Sequence, residues 1–146
     1  MPLKIDIQGQ PRLESVLQSL TSALDVTEIL DESAAILLNR IRTNFLVQTS
    51  PDGQKWVESG AAKDRAAKGR GGGTLYNTGR MYQSIQLYAP GTNTRSIGTD
   101  VPYAGIHNNG VGQIQREFLG FGEDDADLVQ KLIIKRITEA INGSAN

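Results

Sequence analysis

The stretch Ser84-Ile85-Gln86-Leu87-Tyr88-Ala89-Pro90-Gly91-Thr92-Asn93-Thr94-Arg95-Ser96-Ile97-Gly98-Thr99 decides the fold. Ile85, Leu87 and Ala89 alternate with Ser84, Gln86 and Tyr88, the period of two that half-buries a strand. Pro90-Gly91-Thr92-Asn93 then turns the chain, and Ser96-Ile97-Gly98-Thr99 is placed to pair back as a second strand. A hairpin here, flanked by helical patterns, predicts an α+β fold. Its sheet is small and mostly antiparallel, packed with a long N-terminal helical region and a C-terminal amphipathic helix.

Downstream, Glu123, Asp124, Asp125 and Asp127 lead a helix whose apolar stripe is Leu128, Leu132, Ile133, Ile137 and Ile141. Lys131, Lys135 and Arg136 lie towards its far end, and acids first with bases later suit the helix dipole. Upstream, Leu30, Ala34, Leu37, Ile41 and Phe45 fall on one helical stripe, with Arg40, Arg42 and Asn44 assigned to the wet side. Asp25-Val26-Thr27 offers a side-chain oxygen to cap that helix. A preceding register on Leu13, Val16, Leu17, Leu20 and Leu24 reads as another helix after Pro11, or as the first part of one long helix with a break near Val26. Leu3, Ile5 and Ile7 alternate as a short first strand.

From Thr49 to Thr74 the period is lost. Ser50-Pro51-Asp52-Gly53 is a turn sequence, and Trp56 is a candidate anchor. Residues 57–74 read as a long flexible arm, Gly-rich and basic, with Lys63, Arg65, Lys68 and Arg70 as its cations. A connection of this length without structure is usually functional or disordered. Tyr103 to Gly122, rich in Gly and Asn, reads as a second exposed loop.

Composition excludes whole classes of chemistry. The 146 residues fit one domain over 1–146, long enough to bury a sizeable core. With Cys 0 there are no disulfides, thiolate metal sites or cysteine nucleophiles. With 15 Lys+Arg against 16 Asp+Glu the net charge is -1, so no global field draws the chain to nucleic acid or acidic lipid. No apolar run approaches a membrane span, and Met1-Pro2-Leu3-Lys4 carries no signal-peptide core, so a soluble cytoplasmic domain is expected.

No motif points to an enzyme or a cofactor. His107 is the sole histidine; Ser84, Ser96 or Asp100 would have to partner it, and no nucleophile elbow is present. The acidic run 123–127 lacks the alternating ligands of a calcium loop. Gly69-Arg70-Gly71-Gly72-Gly73-Thr74 lacks the Lys-Ser/Thr ending of a phosphate loop. An arginine–glycine arm touching nucleic-acid backbone through Lys63, Arg65, Lys68 and Arg70 is the alternative reading.

Four ordered pieces carry a resemblance. They are Phe45 followed by Pro51-Asp52-Gly53-Gln54-Lys55-Trp56; Leu75-Tyr76-Asn77-Thr78-Gly79-Arg80-Met81-Tyr82-Gln83-Ser84-Ile85; Ile97-Gly98-Thr99 leading to Tyr103-Ala104-Gly105-Ile106-His107-Asn108-Asn109-Gly110; and Arg116-Glu117-Phe118-Leu119-Gly120. Together the set resembles the phage virion morphogenesis, or tail completion, family of tailed bacteriophages. Gln115 stands where similar proteins commonly have Pro, and the insert before Leu75 is longer and more basic than theirs.

The resemblance implies a non-enzymatic structural protein of the virion neck or tail end. It would complete the tail and join it to the head as a subunit of a homo-oligomeric ring, with a hexamer as the first stoichiometry to expect. Implied neighbours are tail tube or sheath and connector proteins, with channel DNA within reach of the arm and no membrane. Such a protein would be made in the host cytoplasm and end in the virion. Trp56, Arg80, Tyr103, His107, Asn108, Arg116 and Phe118 are the candidate interface residues. Arg80 is expected to point outward while Met81 and Ile85 pack inward, and Tyr103, Ala104 and Ile106 would seat a loop that puts His107 and Asn108 at its surface.

Overall fold

The computed structural model describes residue 22 and residues 24–144. The strand expected at 3–7 and the helix expected on Leu13, Val16, Leu17 and Leu20 lie outside the described residues. Within them the chain is α+β: five helices and one antiparallel hairpin.

Helix α1 (Val26–Leu46) is the strut of the fold. Asp25 starts it: its backbone is extended, and its side chain accepts the amide of Glu28 at 3.1 Å. This satisfies one of the donors that a helix start leaves open. Ala34, Ile41 and Phe45 of the expected stripe are buried, and Leu30 and Leu37 are half-buried. The helix ends without glycine. Gln48 takes φ 64, Gln48 N–H donates to Phe45 O and Thr49 N–H to Asn44 O, a Schellman closure on a residue that rarely adopts it.

The turn at 50–53 forms as expected, with Gly53 at φ 81 and its amide donating to Ser50 O at 2.9 Å. It returns the chain along the end of α1, so that Trp56 meets Phe45 edge-on at 5.4 Å. The core gathers Ile41, Phe45, Met81, Ile85, Val101, Ala104 and Phe118, contributed from segments far apart in sequence.

Several expectations need correction. Residues 57–74 are not without secondary structure: Gly60–Ala67 is a helix, α2, capped by Ser59, which accepts Ala62 N–H at 3.1 Å. Eight residues rich in alanine form it without an apolar stripe, so periodicity was silent while propensity and the cap were present. Ser59 N–H donates to the buried Thr74 hydroxyl at 3.0 Å, which pins the two ends of the segment together. Likewise 103–122 is not all loop, because Ala104–Asn109 is a helical turn, named α4 below.

Between these, helix α3 (Arg80–Gln83) precedes strands β1 (Gln86–Gly91) and β2 (Thr94–Gly98). The hairpin turns on Thr92-Asn93 alone, pairs Leu87 with Ile97, and slips register between Tyr88 and Gly91. Ile85 precedes the strand and is fully buried, whereas every residue of β1 is exposed.

Arg40 and Arg42 are not on the wet side. Arg42 Nη2 donates to Ile85 O at 2.7 Å, and Arg40 Nε donates to Asp125 Oδ1 at 2.9 Å. Asp125 also accepts Gly122 N–H at 2.7 Å and is buried, so this acid of the 123–127 run holds the start of α5 (Glu123–Ser144) onto α1. Arg136 adds a second tie to Glu32. These two clamps rotate α5: Asp125, Arg136 and Ala140 face α1, Leu128, Leu132 and Ile137 are half-buried, and Ile133 and Ile141 of the expected stripe are exposed. A buried acid bonded on two sides weighs more than the exposed pairs around it.

Among the described residues no helix is long and apolar enough to cross a membrane.

Candidate functional site

The residues singled out from sequence divide sharply by position. A cleft of about 600 Å³ opens between α2, residues 75–81 and α4, and Arg65, Arg80, Tyr103, His107 and Arg116 all line it. Sequence had scattered these five over more than fifty positions.

Each side chain is delivered by local structure. Gly79 sits at φ 80, buried, where a Cβ would lie 3.1 Å from the Tyr76 hydroxyl; this left-handed position turns the chain into α3. Thr78 Oγ1 accepts Arg80 N–H at 3.3 Å, and Arg80 then points outward while Met81 goes into the core. Arg65, in the last turn of α2, donates from Nη2 to Gly73 O at 2.8 Å, and its Nε is buried with no hydrogen-bond partner. Arg116 is 6% exposed; Nε donates to Val57 O at 2.8 Å and its backbone amide to His107 O at 2.9 Å.

The floor is therefore cationic. Among the described residues no carboxylate lines the cleft, and none of Arg65, Arg80 and Arg116 forms a salt bridge. Of the three only Arg116 is buried, and Arg65 and Arg116 each donate to backbone carbonyls, so the cleft carries positive charge that no carboxylate of the described residues balances.

His107 shares the wall with Tyr103, whose ring lies edge-on at 6.3 Å, and its Nδ1 is hydrogen-bonded to Gln113 Nε2 at 2.8 Å. Ser84 is instead committed to Met81 O and the Thr99 hydroxyl. Burial first, and then the Arg116 charge, hold the imidazole pKa below its ordinary 6.5. The sign follows. Below 6.5 the unfolded chain takes up the proton before the folded one, so this residue's contribution to stability is present above 6.5 and is lost as pH falls through the lowered value. Denaturant titrations between about pH 7 and 5.5 are expected to show stability declining, and His107→Gln to flatten the decline; equal slopes would remove the assignment.

The remaining candidates lie elsewhere. Phe118, expected as an interface aromatic, is 1% exposed and belongs to the core. Trp56 is half-buried and anchors through Nε1 to Glu117 O at 3.0 Å. Asn108 does not face outward: its Oδ1 accepts the amides of Phe118 and Leu119 at 2.9 and 2.8 Å. Ile106 in turn is 46% exposed where a seating role was expected, because Ala104 alone fills the core position of that turn. Lys63, Lys68 and Arg70 of the arm are exposed, apart from the cleft lining.

Comparison with known proteins bears on the whole chain. The sequence profile of the phage virion morphogenesis family matches residues 9–138. The chain belongs to that family. No curated protein and no solved structure matches it. Membership assigns a role in building the phage virion, and it spans both helix α1 and the cleft, so the cleft belongs to the family domain itself.

Proposed function

We propose that this family member is a non-catalytic subunit of the phage neck or tail end, completing the tail and joining it to the head as a homo-oligomeric ring. The observation that carries the reading is the outer surface of residues 104–122. Ile106, Val111, Ile114 and Phe121 are 46%, 65%, 53% and 63% exposed within that one segment. Four large apolar side chains left exposed along one short segment favour a contact with another protein. Ring closure needs a heterologous contact whose rotation divides a full turn, and tail symmetry favours six copies.

Its neighbours on this reading are tail tube or sheath and connector proteins, met in the host cytoplasm before the subunit is locked into the virion. Sedimentation of the purified chain is expected to give one discrete oligomer. Phage lacking it are expected to yield separate heads and unfinished tails. A chain that stays monomeric, together with joined and stable particles in its absence, would overturn the reading.

A further inference from the structure

We infer that the cationic cleft is the socket for a second copy of this chain, and that it receives the start of the neighbour's α5: the Phe121 ring with the carboxylates of Glu123 and Asp124. The inference rests on the ring reading above and specifies its contact.

The socket has a guanidinium floor from Arg65 and Arg116, Arg80 at its rim, and apolar wall from Leu75, Met81 and Tyr103. Its volume is in the range of ligand-sized clefts. An occupant must therefore carry both negative charge and apolar bulk in a short span. The start of α5 in the same chain is such a segment. Phe121 is 63% exposed, Glu123 is exposed, and the Asp124 side chain is 85% exposed with only a 4.0 Å approach to Arg40.

That segment is not held in its own cleft. Asp125 is locked to Arg40 and to Gly122 N–H, which fixes the start of α5 on α1, and no carboxylate among the described residues of the same copy lines the cleft. Socket and plug are thus different surfaces of one subunit, the requirement for a head-to-tail contact that closes into a ring. Duplex DNA fits less well. Phosphates on a convex duplex cannot reach a guanidinium that is 6% exposed, and the apolar wall would face water or backbone.

The test uses the full chain, which has no cysteine of its own. Thr78→Cys combined with Glu123→Cys is expected to give, on mild oxidation, a ladder of covalent multimers, while either substitution alone stops at dimers. Independently, Arg80→Glu is expected to raise the assembly dissociation constant about tenfold or more, with the fold of the subunit unchanged by circular dichroism because the side chain is exposed. Adding Asp124→Arg to Arg80→Glu is expected to recover most of the loss.

Wild-type oligomers that persist unchanged in Arg80→Glu, with no ladder, overturn this contact and leave the ring reading standing. A wild type that neither oligomerises nor assembles onto purified tails overturns both. Loss of DNA binding in Arg80→Glu with the oligomer intact also overturns it, in favour of a nucleic-acid cleft.

Discussion

Phe45→Ala is expected to lower the stability of the domain by about 3–5 kcal/mol. Phe45 is fully buried and is the hub of the aromatic core. Its ring meets Trp56 at 5.4 Å, Phe118 at 5.6 Å and Tyr82 at 5.8 Å, the first two edge-on. Alanine removes the transfer free energy of the ring and leaves a cavity whose walls belong to α1, the 50–57 return, α3 and the 116–119 segment. These elements cannot all collapse inward together. A domain of this size is stable by about 5–15 kcal/mol, so the variant would sit near the edge of folding. Trp56, the sole tryptophan, touches the ring and reports unfolding by fluorescence. A denaturant midpoint shifted by the equivalent of less than about 1 kcal/mol at constant m would contradict this packing.

Asn108→Ala is expected to cost about 2–4 kcal/mol, although no large side chain is lost. Asn108 Oδ1 takes two successive amides, of Phe118 and Leu119, and its Nδ2 donates to Leu119 O at 3.3 Å. The amide thereby stitches α4 to the irregular segment that carries the buried Phe118. Alanine would leave those donors without a partner in a part-buried site, and stranding a buried polar group costs more than its hydrogen bond returned. Asn108→Asp keeps the acceptor for both amides but sets a charged carboxylate oxygen against Leu119 O, so it is expected to retain only part of the stability that alanine loses. Hydrogen exchange at Phe118 and Leu119 should accelerate in the alanine variant before the amides of α1 do. Uniform acceleration across the domain would argue against a local stitch.

Because residues 116–122 run from the cleft floor to the start of α5, such loosening would reach both proposed halves of the subunit contact. The same variant is expected to weaken assembly along with stability, unlike Arg80→Glu, which addresses charge alone.

How much was legible beforehand varied with the range of the signal. The Asp25 cap, the α1 stripe ending in Phe45, the turn at Ser50–Gly53 and the helix after Gly122 were all readable, because each is encoded within a few residues. Helix α2 was missed because it has no apolar face to show a period. The rotation of α5 was missed because Asp125 and Arg136 outrank Ile133 and Ile141 in facing α1. No local pattern announces that a charge will be buried against a partner more than eighty positions away.

By itself, then, the sequence determined the two long helices and the hairpin, the Asp25 cap and the turn at Ser50–Gly53, the α+β class and, through its ordered motifs, the family. Only the tertiary structure decided that Arg65, Arg80, His107 and Arg116 share one cleft, that Phe118 is core, and that Asn108 turns inward. The reason is physical: helix period and turn chemistry act over neighbouring residues, whereas burial and charge pairing depend on which distant elements come to pack together.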